Sequence, residues 1–557
     1  MPAMKHLFFL SAVILLTFFS YRSLLFRGYF PMHDDLQAMR LLQLDKCVKD
    51  GQIPCRWVPD MGYGYGYPQF NFYAPLPYYV MEIFHLSGFG FLDSVKAGFI
   101  TSFVAAALAM YLLARTFWGP LGGVVSALFY TFGTYRAAEV YSRGAAGEGW
   151  SFIFFPLIIY CAYRLIITGR LLFVSLLALS YGGLLLTHNL MSLVFSPIVL
   201  LFCLFVVAIH NRWRVIPKLA LASLWGASLA AFFVLPALFE TSYAHVETLR
   251  VGYFNFLAHF VSLKQMFTAT HWGYGSSELG PYDDASFSLG LLHWLLTVVV
   301  LAAAPFFYKA HPRKVAVIWF MAGVGIVSAF LAHQRSSFIW ESLPFLSFLQ
   351  FPWRFLTIMT FCFSLLPGAL FLFVRDRLPR MWLATALIVL LIFMDGFSFR
   401  PRLFYDITDQ DKFSGALWEK ELTISIFDYL PIFAKMPPGA KAPDLPQILA
   451  GEGQVVEFHK GTDHQEMKIT VKQAATVQLS LFDFPGWQVS SNDQLVVHRH
   501  DNDLGLITFD LKPGQYQLRA RLTNTPVRTI RNILSLVAVT LFVIVFIFNK
   551  RRVVKFS

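Results

Sequence analysis

Long apolar runs separated by short polar connectors dominate the chain up to about residue 400, and then the period changes. The runs are each roughly the 20 residues that a helix needs to cross a hydrocarbon core. Twelve are read, at about 7–26, 97–115, 121–137, 150–167, 171–187, 190–209, 219–238, 289–308, 314–332, 355–374, 381–397 and 529–549. The run 121–137 and the close pair 171–187 and 190–209 have connectors short enough to hide a re-entrant segment. From about Gln454 apolar residues alternate instead, in VVEFHKG, MKITVKQ, TVQLSLFDF, GLITFDL and YQLRARL, each bounded by Gly, Asp, Asn or Pro. Period two with that punctuation predicts antiparallel strands and a small β-sandwich. The stretch 400–450 mixes helix-forming sequence with Pro-rich linker (MPPGAKAPDLP). The expected fold is mostly α. A transmembrane helical core occupies 1–397, a β-rich extracytoplasmic domain follows over 398–528, and 529–557 holds a last transmembrane helix with a basic tail.

Charge placement orients this pattern. With Lys5 inside, alternate connectors hold Arg115; Arg164 and Arg170; Arg212, Arg214 and Lys218; Lys309, Arg313 and Lys314; Arg375, Arg377 and Arg380; and the tail Lys550, Arg551, Arg552 and Lys555. Short basic connectors mark the cytoplasmic side, so both termini are expected there. The first run is read as an uncleaved anchor, because it is long for a signal peptide and no small-residue cleavage site follows. Composition agrees. Of 557 residues, 56% are hydrophobic and only 14% charged, against about a quarter charged in soluble domains. Disorder and an ordinary soluble enzyme are thereby excluded. The net charge of +12 would suit nucleic acid, but its placement reads as membrane topology, so the expected partners include membrane lipids and no nucleic acid.

The polar mass falls outside, in about 27–96, 240–288 and 398–528, so the working face is expected to be extracytoplasmic. The first segment opens with FPMHDDLQAMR. Asp34 and Asp35 there read either as a cap on the helix LQAMRLLQL or as a general base at the membrane surface. His33 and Arg40 flank them. RWVPDMGYGYGYPQFNFYAPLPYY follows, with Arg56, Trp57, Tyr65, Tyr67, Asn71 and Tyr73; its rings suit an interfacial belt or sugar stacking. YRAAEVYSRGAAGEGW brings Arg136, Glu139, Arg143 and Glu148. Arginines on an outer connector suit phosphate, or pair internally as Arg136 with Glu139 and Arg143 with Glu148. His188 and Asn189 mark a turn or cap, and Arg354 in LQFPWRFL either snorkels or meets phosphate. The segment 240–288 offers His245, Glu247, His271, Glu278, Asp283 and Asp284 without metal spacing. Cys47 and Cys55 would pair in an oxidising compartment or stay as free thiols; Cys161, Cys203 and Cys362 lie in spans.

HDDLQAMR, GQIPCRWVPDMGYGYGYPQFNFYAPLPYY, VYSRGAAGE, THN and LQFPWRF, in that order, resemble the bacterial multi-pass proteins labelled 6-pyruvoyl-tetrahydropterin-synthase-related. These stand close to YfhO-like proteins, whose β-domain FPGWQV and DLKPGQYQLRARL also resemble. That group is similar in architecture to GT-C glycosyltransferases. The resemblance implies a bacterial inner-membrane transferase that takes a sugar from a polyprenyl-phosphate donor and passes it, with inversion, to a glycan, lipid or protein hydroxyl outside. Asp34 matches the catalytic acid that such enzymes carry after the first span, with Asp35 beside it. Ala38 stands where the family commonly has His. Arg143 and Arg354, with Arg40 behind them, would neutralise the leaving phosphate. No cofactor is required, although a divalent cation near Asp34 and Asp35 is possible. A lipid-linked glycan transporter and a non-catalytic envelope scaffold are the competing readings.

Overall fold

The computed structural model describes residues 2–279, 283–374 and 376–554. Arg375 and Lys555 of the charge pattern above lie outside the described residues. Among the described residues, eight helices are long and apolar enough to cross a membrane: His6–Leu25, Phe91–Phe132, Ala146–Thr168, Asn189–His210, Pro312–Ala332, Pro352–Leu372, Arg377–Ser398 and Pro526–Val545. The pair Trp213–Leu229 and Ala231–Phe239, bent by 77°, makes up to nine. Leu171–Leu185 and Leu291–Phe307 are shorter apolar helices. The molecule is a multi-pass helical protein with a C-terminal antiparallel sheet.

Fewer helices qualify than the twelve apolar runs: two runs share one helical stretch, two give the shorter helices and one is the bent pair. The run at 97–115 and most of that at 121–137, up to Phe132, fall in one 42-residue helical stretch broken only at Gly119 (φ 81°, ψ 179°). That backbone suits glycine, and Pro120 restarts the helix with φ already set and no donor to waste. The two arms fold back on each other: a Cβ on Gly123 would stand 2.9 Å from that of Arg115. A single turn residue therefore replaces the expected connector.

The C-terminal strands are β1 (Gln447–Lys460), β2 (His464–Phe482), β3 (Trp487–Ser491), β4 (Gln494–Val496), β5 (Leu506–Leu511) and β6 (Gly514–Leu522). They form one hydrogen-bonded antiparallel sheet in the order β1-β2-β6-β3-β4, with β5 also on β2, rather than the expected pair of facing sheets. The cause is the length of β2. At 19 residues it pairs along one edge with β1, and along the other with β6 at His464–Val471 and with β5 at Ala475–Phe482. Its alternate residues Met467, Ile469, Val471, Val477, Leu479 and Leu481 are buried, as period-two patterning requires. What covers them is partly the first loop. Trp57, Tyr65 and Phe72 belong to this same core, so loop 27–96 supplies apolar mass that a second sheet would otherwise give.

The connectors on the sheet side touch one another. Tyr29 bridges Tyr405, Leu76 N–H donates to the Leu186 carbonyl (2.9 Å), Gln350 donates to the Leu249 carbonyl (3.0 Å) and Thr248 to that of Phe427 (2.8 Å). Every expected outer segment thus lies on one face. Cys47 and Cys55 are joined as a disulfide.

Candidate active site

Three segments remote in sequence meet at His33–Asp35. Backbone bonds set the first junction: His33 N–H donates to the Ser142 carbonyl (3.0 Å) and Asp34 N–H to that of Arg143 (2.9 Å). Gly144 lets the strands close, because a Cβ there would stand 2.1 Å from Met32 Sδ. The His33 ring meets the Tyr274 carbonyl (2.8 Å), which brings in segment 240–288. Lys412, from segment 398–446, bonds Asp35 at 2.9 Å.

Neither acid caps the helix that follows. Helix Gln37–Lys49 starts after Leu36 with no side-chain cap. The two acids instead face different partners. Asp34 accepts from Gln37 Nε2 (3.1 Å) and Arg40 Nη1 (3.2 Å), while its side chain stays 35% exposed. Arg40 is buried, stacked 4.0 Å over the Tyr73 ring, and it also donates to the hydroxyls of Tyr73 (3.2 Å) and Tyr78 (3.3 Å). Tyr78 donates to Gln37 Oε1 (2.5 Å), and Gln37 Nε2 to the Gly144 carbonyl (2.8 Å). Helical i, i+3 spacing on one face puts Gln37 and Arg40 together. Asp34 is thereby oriented by Gln37 and Arg40 yet still open on one side.

Asp35 is locked into an ion triad. Lys412, 3% exposed, holds Asp35 and also Glu421 (2.7 Å). Burial raises the Asp35 carboxyl above its ordinary range, with Lys412 pulling back; Glu421 is raised for the same first reason.

A second polar cluster lies directly behind Asp34. Arg143 pairs with Glu139 and with Glu148 (3.0 Å), and stacks 4.2 Å over Trp353. Glu148 also accepts from Thr357 (2.6 Å) and ion-pairs with Arg354 at 3.6 Å. Two arginines and two glutamates balance, so this cluster carries no spare cation as it stands. Of the two expected internal pairs, Arg143 with Glu148 is present. Arg136 instead points away from Glu139 into a cage of Phe103, Tyr130 and Phe152, donating to the Ser102 carbonyl (2.9 Å). His188 caps helix Asn189–His210 by accepting from Met191 N–H (3.1 Å), and Asn189 donates to the Phe72 carbonyl (3.1 Å).

The aromatic loop divides. Tyr73 belongs to the Asp34 network. Tyr67 donates to the Ser425 carbonyl (2.7 Å) and receives the Tyr429 N–H, pinning the turn that carries Asp428. Trp57 packs edge-on to Trp487 and against Phe484, and Tyr65 against Phe482. These two rings fill the sheet core, and present no face for stacking on a sugar. Arg56 and Asn71 face a different cluster, around Glu240.

Sequence reading gave no role to Lys412, Glu421 or Asp428. Burial raises Asp428 to about 6, with Arg40 and Asp34 both acting on it. All three sit in the stretch read as mixed linker, where no period points to a site. Among the described residues, the His/Asp/Glu group with spacing for a metal ion is Asp50, Asp463 and His464, away from Asp34 and Asp35. There Asp50 already accepts from Thr462 N–H and Oγ1, both at 2.6 Å.

No family model matches the chain. An uncharacterized protein of Lactococcus lactis subsp. cremoris (strain MG1363) is 24% identical over 243 residues, 41% of this chain and 38% of its own length. Among solved structures, ArnT from Cupriavidus metallidurans bound to undecaprenyl phosphate aligns at 14% identity and TM-score 0.36, over 71% of this chain and 64% of that one. The archaeal oligosaccharyltransferase AglB from Archaeoglobus fulgidus, in complex with an inhibitory peptide and a dolichol-phosphate, aligns at 13% and 0.40, over 72% and 56%. Arabinofuranosyltransferase AftD from Mycobacteria aligns at 13% and 0.38, over 72% and 27%. The chain spans less than two thirds of each of these proteins.

Proposed function

We propose that the chain is a membrane glycosyltransferase that moves a sugar from a polyprenyl-phosphate donor to an acceptor hydroxyl on the sheet-bearing, extracytoplasmic side of a bacterial inner membrane. In this reading all twelve apolar runs cross the membrane and both termini are cytoplasmic. The observation that carries it is the meeting of three remote segments at His33–Asp35, around Asp34, a part-exposed carboxylate held by Arg40 and Gln37. A scaffold has no use for an oriented acid left open at such a junction. Donor class and inversion follow from the sequence resemblance.

Asp34 is the base. An acceptor hydroxyl donates its proton to the Asp34 carboxylate as its oxygen attacks the anomeric carbon, and the polyprenyl phosphate departs with the bonding electrons. Direct displacement inverts that centre. Asp35 is a positioning residue, because Lys412 occupies it. We give the role of a divalent cation near the acids to Arg40 and Lys412, which already pair with them. Arg143 is the nearer candidate for the leaving phosphate, since its backbone carbonyl bonds Asp34 N–H. It must then exchange part of its pairing with Glu139 and Glu148 for the phosphate.

The test uses full-length protein in lipid nanodiscs, a panel of polyprenyl-phosphate sugars and mixed hydroxyl acceptors. Transfer by wild type that disappears in Asp34→Asn, with polyprenyl-phosphate binding retained, supports the reading. Transfer retained in Asp34→Asn removes Asp34 as base. Movement of intact lipid-linked sugar across the bilayer, without transfer, replaces the proposal with a transporter.

A further inference from the structure

A second set of buried polar groups gathers where the last helix meets the sheet, and the chemistry above does not use it. Glu240, at the end of the bent helix pair, accepts from Arg528 Nε (3.1 Å to each oxygen) and Nη2 (2.9 Å), and from Asn71 (3.0 Å). Arg56 of the first loop enters the same place, donating to Asn532 Oδ1 (2.9 Å) and the Phe232 carbonyl (3.0 Å). Arg531 follows Arg528 along the helix, with its guanidinium 5.0 Å from the centre of the Phe239 ring.

Three guanidinium groups therefore gather near one carboxylate, which pairs with Arg528. Among the described residues, neither Arg56 nor Arg531 has an acid within ion-pair distance, and Arg528 has Glu240 only. All three are more than nine-tenths buried, at 6%, 1% and 7% exposure. Nη1 of Arg528 and Nη1 of Arg531 are buried without a hydrogen-bond partner among the described residues. Gly486 lets the backbone lie close to the first of these, since a Cβ there would stand 2.9 Å from Arg528 Nη1. The first turn of helix Pro526–Val554 adds its positive end at the same point.

Two cations without an acid of their own, together with unmet donors on Arg528 and Arg531, are costly at a membrane boundary. A phosphate group removes that cost, because its oxygens match the guanidinium fork. The rim indicates how such an anion arrives. Phe239, Val527, Ile530 and Ile533 are exposed and apolar beside the cluster, as lipid-facing residues of a spanning helix are. An anion carried on an alkyl chain suits that rim better than a free one.

We propose that Arg56, Arg528 and Arg531 form a binding site for the phosphate group of a lipid, either a membrane phospholipid or a lipid-linked carrier. The site is separate from Asp34 and stands whether or not the chain transfers sugar. It also ties the last helix to the first loop, so an occupied site holds the sheet against the bundle.

Native mass spectrometry of the full-length protein tests it, with phosphatidylglycerol, polyprenyl phosphate, diacylglycerol and inorganic phosphate as separate probes. Arg531→Gln spares the Glu240–Arg528 pair, and Arg250→Gln removes the same charge elsewhere on the sheet side. The expected result is retention of one or both lipid phosphates, no retention of diacylglycerol, and retention about tenfold weaker in Arg531→Gln only. Arg531→Lys keeps the charge and loses the fork; it should fall between the two, and it serves as the test if the Gln variant does not fold. Phosphatidylglycerol alone identifies the site as one for bulk lipid, and polyprenyl phosphate alone as one for the carrier. Equal retention in wild type and both Arg531 variants, or binding of inorganic phosphate without either lipid, overturns the proposal.

Discussion

The clusters around Asp34 and around Glu240 are both built on the first loop, and they differ in what they leave open. At Asp34 the cation is buried and the acid is part exposed, 3% against 35% for Arg40 and Asp34. At Glu240 both partners are closed off, 1% and 4% for Arg528 and Glu240, and the surplus is positive. An acid paired with a buried cation but left with a free edge can accept a proton from a ligand. An acid surrounded by guanidinium groups holds elements together. The same residue types thus make a candidate base in one place and a clamp in the other, and burial decides which.

Four substitutions test that contrast. Asp34→Asn should act on chemistry, lowering transfer about 10²–10⁴-fold with little change in melting temperature; a large loss of stability with transfer intact would make Asp34 another clamp. Glu240→Gln should do the reverse. Breaking a buried pair costs about 3–5 kcal/mol, read by thermal unfolding in nanodiscs, and Arg528→Met in the same chain should recover much of it. Asp35→Asn, which frees Lys412 to pair with Glu421 alone, should cost about 1–3 kcal/mol and reduce transfer only in proportion to folded protein. A loss of transfer as deep as that of Asp34→Asn, in fully folded protein, would move the base to Asp35.

The smallest effect concerns Asp428, whose folded-state value of about 6 lies above the ordinary 3.8 because it is buried. Between pH 4 and 6 the folded chain binds the proton more tightly than the unfolded chain, so this group's contribution to stability falls as pH rises through that window. Asp428→Asn should therefore match wild type near pH 4 and exceed it above pH 6, by at most about 3 kcal/mol. Melting curves at both pH values check the sign, and a constant difference would show that Asp428 does not titrate there.

Some of this was legible in the chain. The motif HDDLQAMR marked Asp34 and Arg40, since acids at a span's end read as a cap or a general base and the family resemblance places the catalytic acid there. The motif VYSRGAAGE marked Arg143 and Glu148, because an arginine on an outer connector runs against the positive-inside trend and suits phosphate or an internal pair. The tyrosine-rich loop was not separable, since Tyr73 beside Asp34 and Tyr65 in the sheet core have the same composition around them. Lys412, Glu421 and Asp428 left no trace, because Lys412 acts on Asp35 and Asp428 is acted on by Arg40 and Asp34, all hundreds of residues away, and Glu421 joins them only through Lys412.

The sequence by itself determined the apolar runs, the change to period two near Gln454 and the gathering of polar mass between particular runs. Those properties are local: the length of an apolar run, its period and its flanking charges follow from one stretch of chain. Only the tertiary structure decided that β2 organises a single sheet, that Trp57 and Tyr65 complete its core, and that Asp34 is open while Asp35 is locked. Such outcomes depend on which distant side chain reaches a given atom, and so on burial and hydrogen-bond partners that no window of sequence contains.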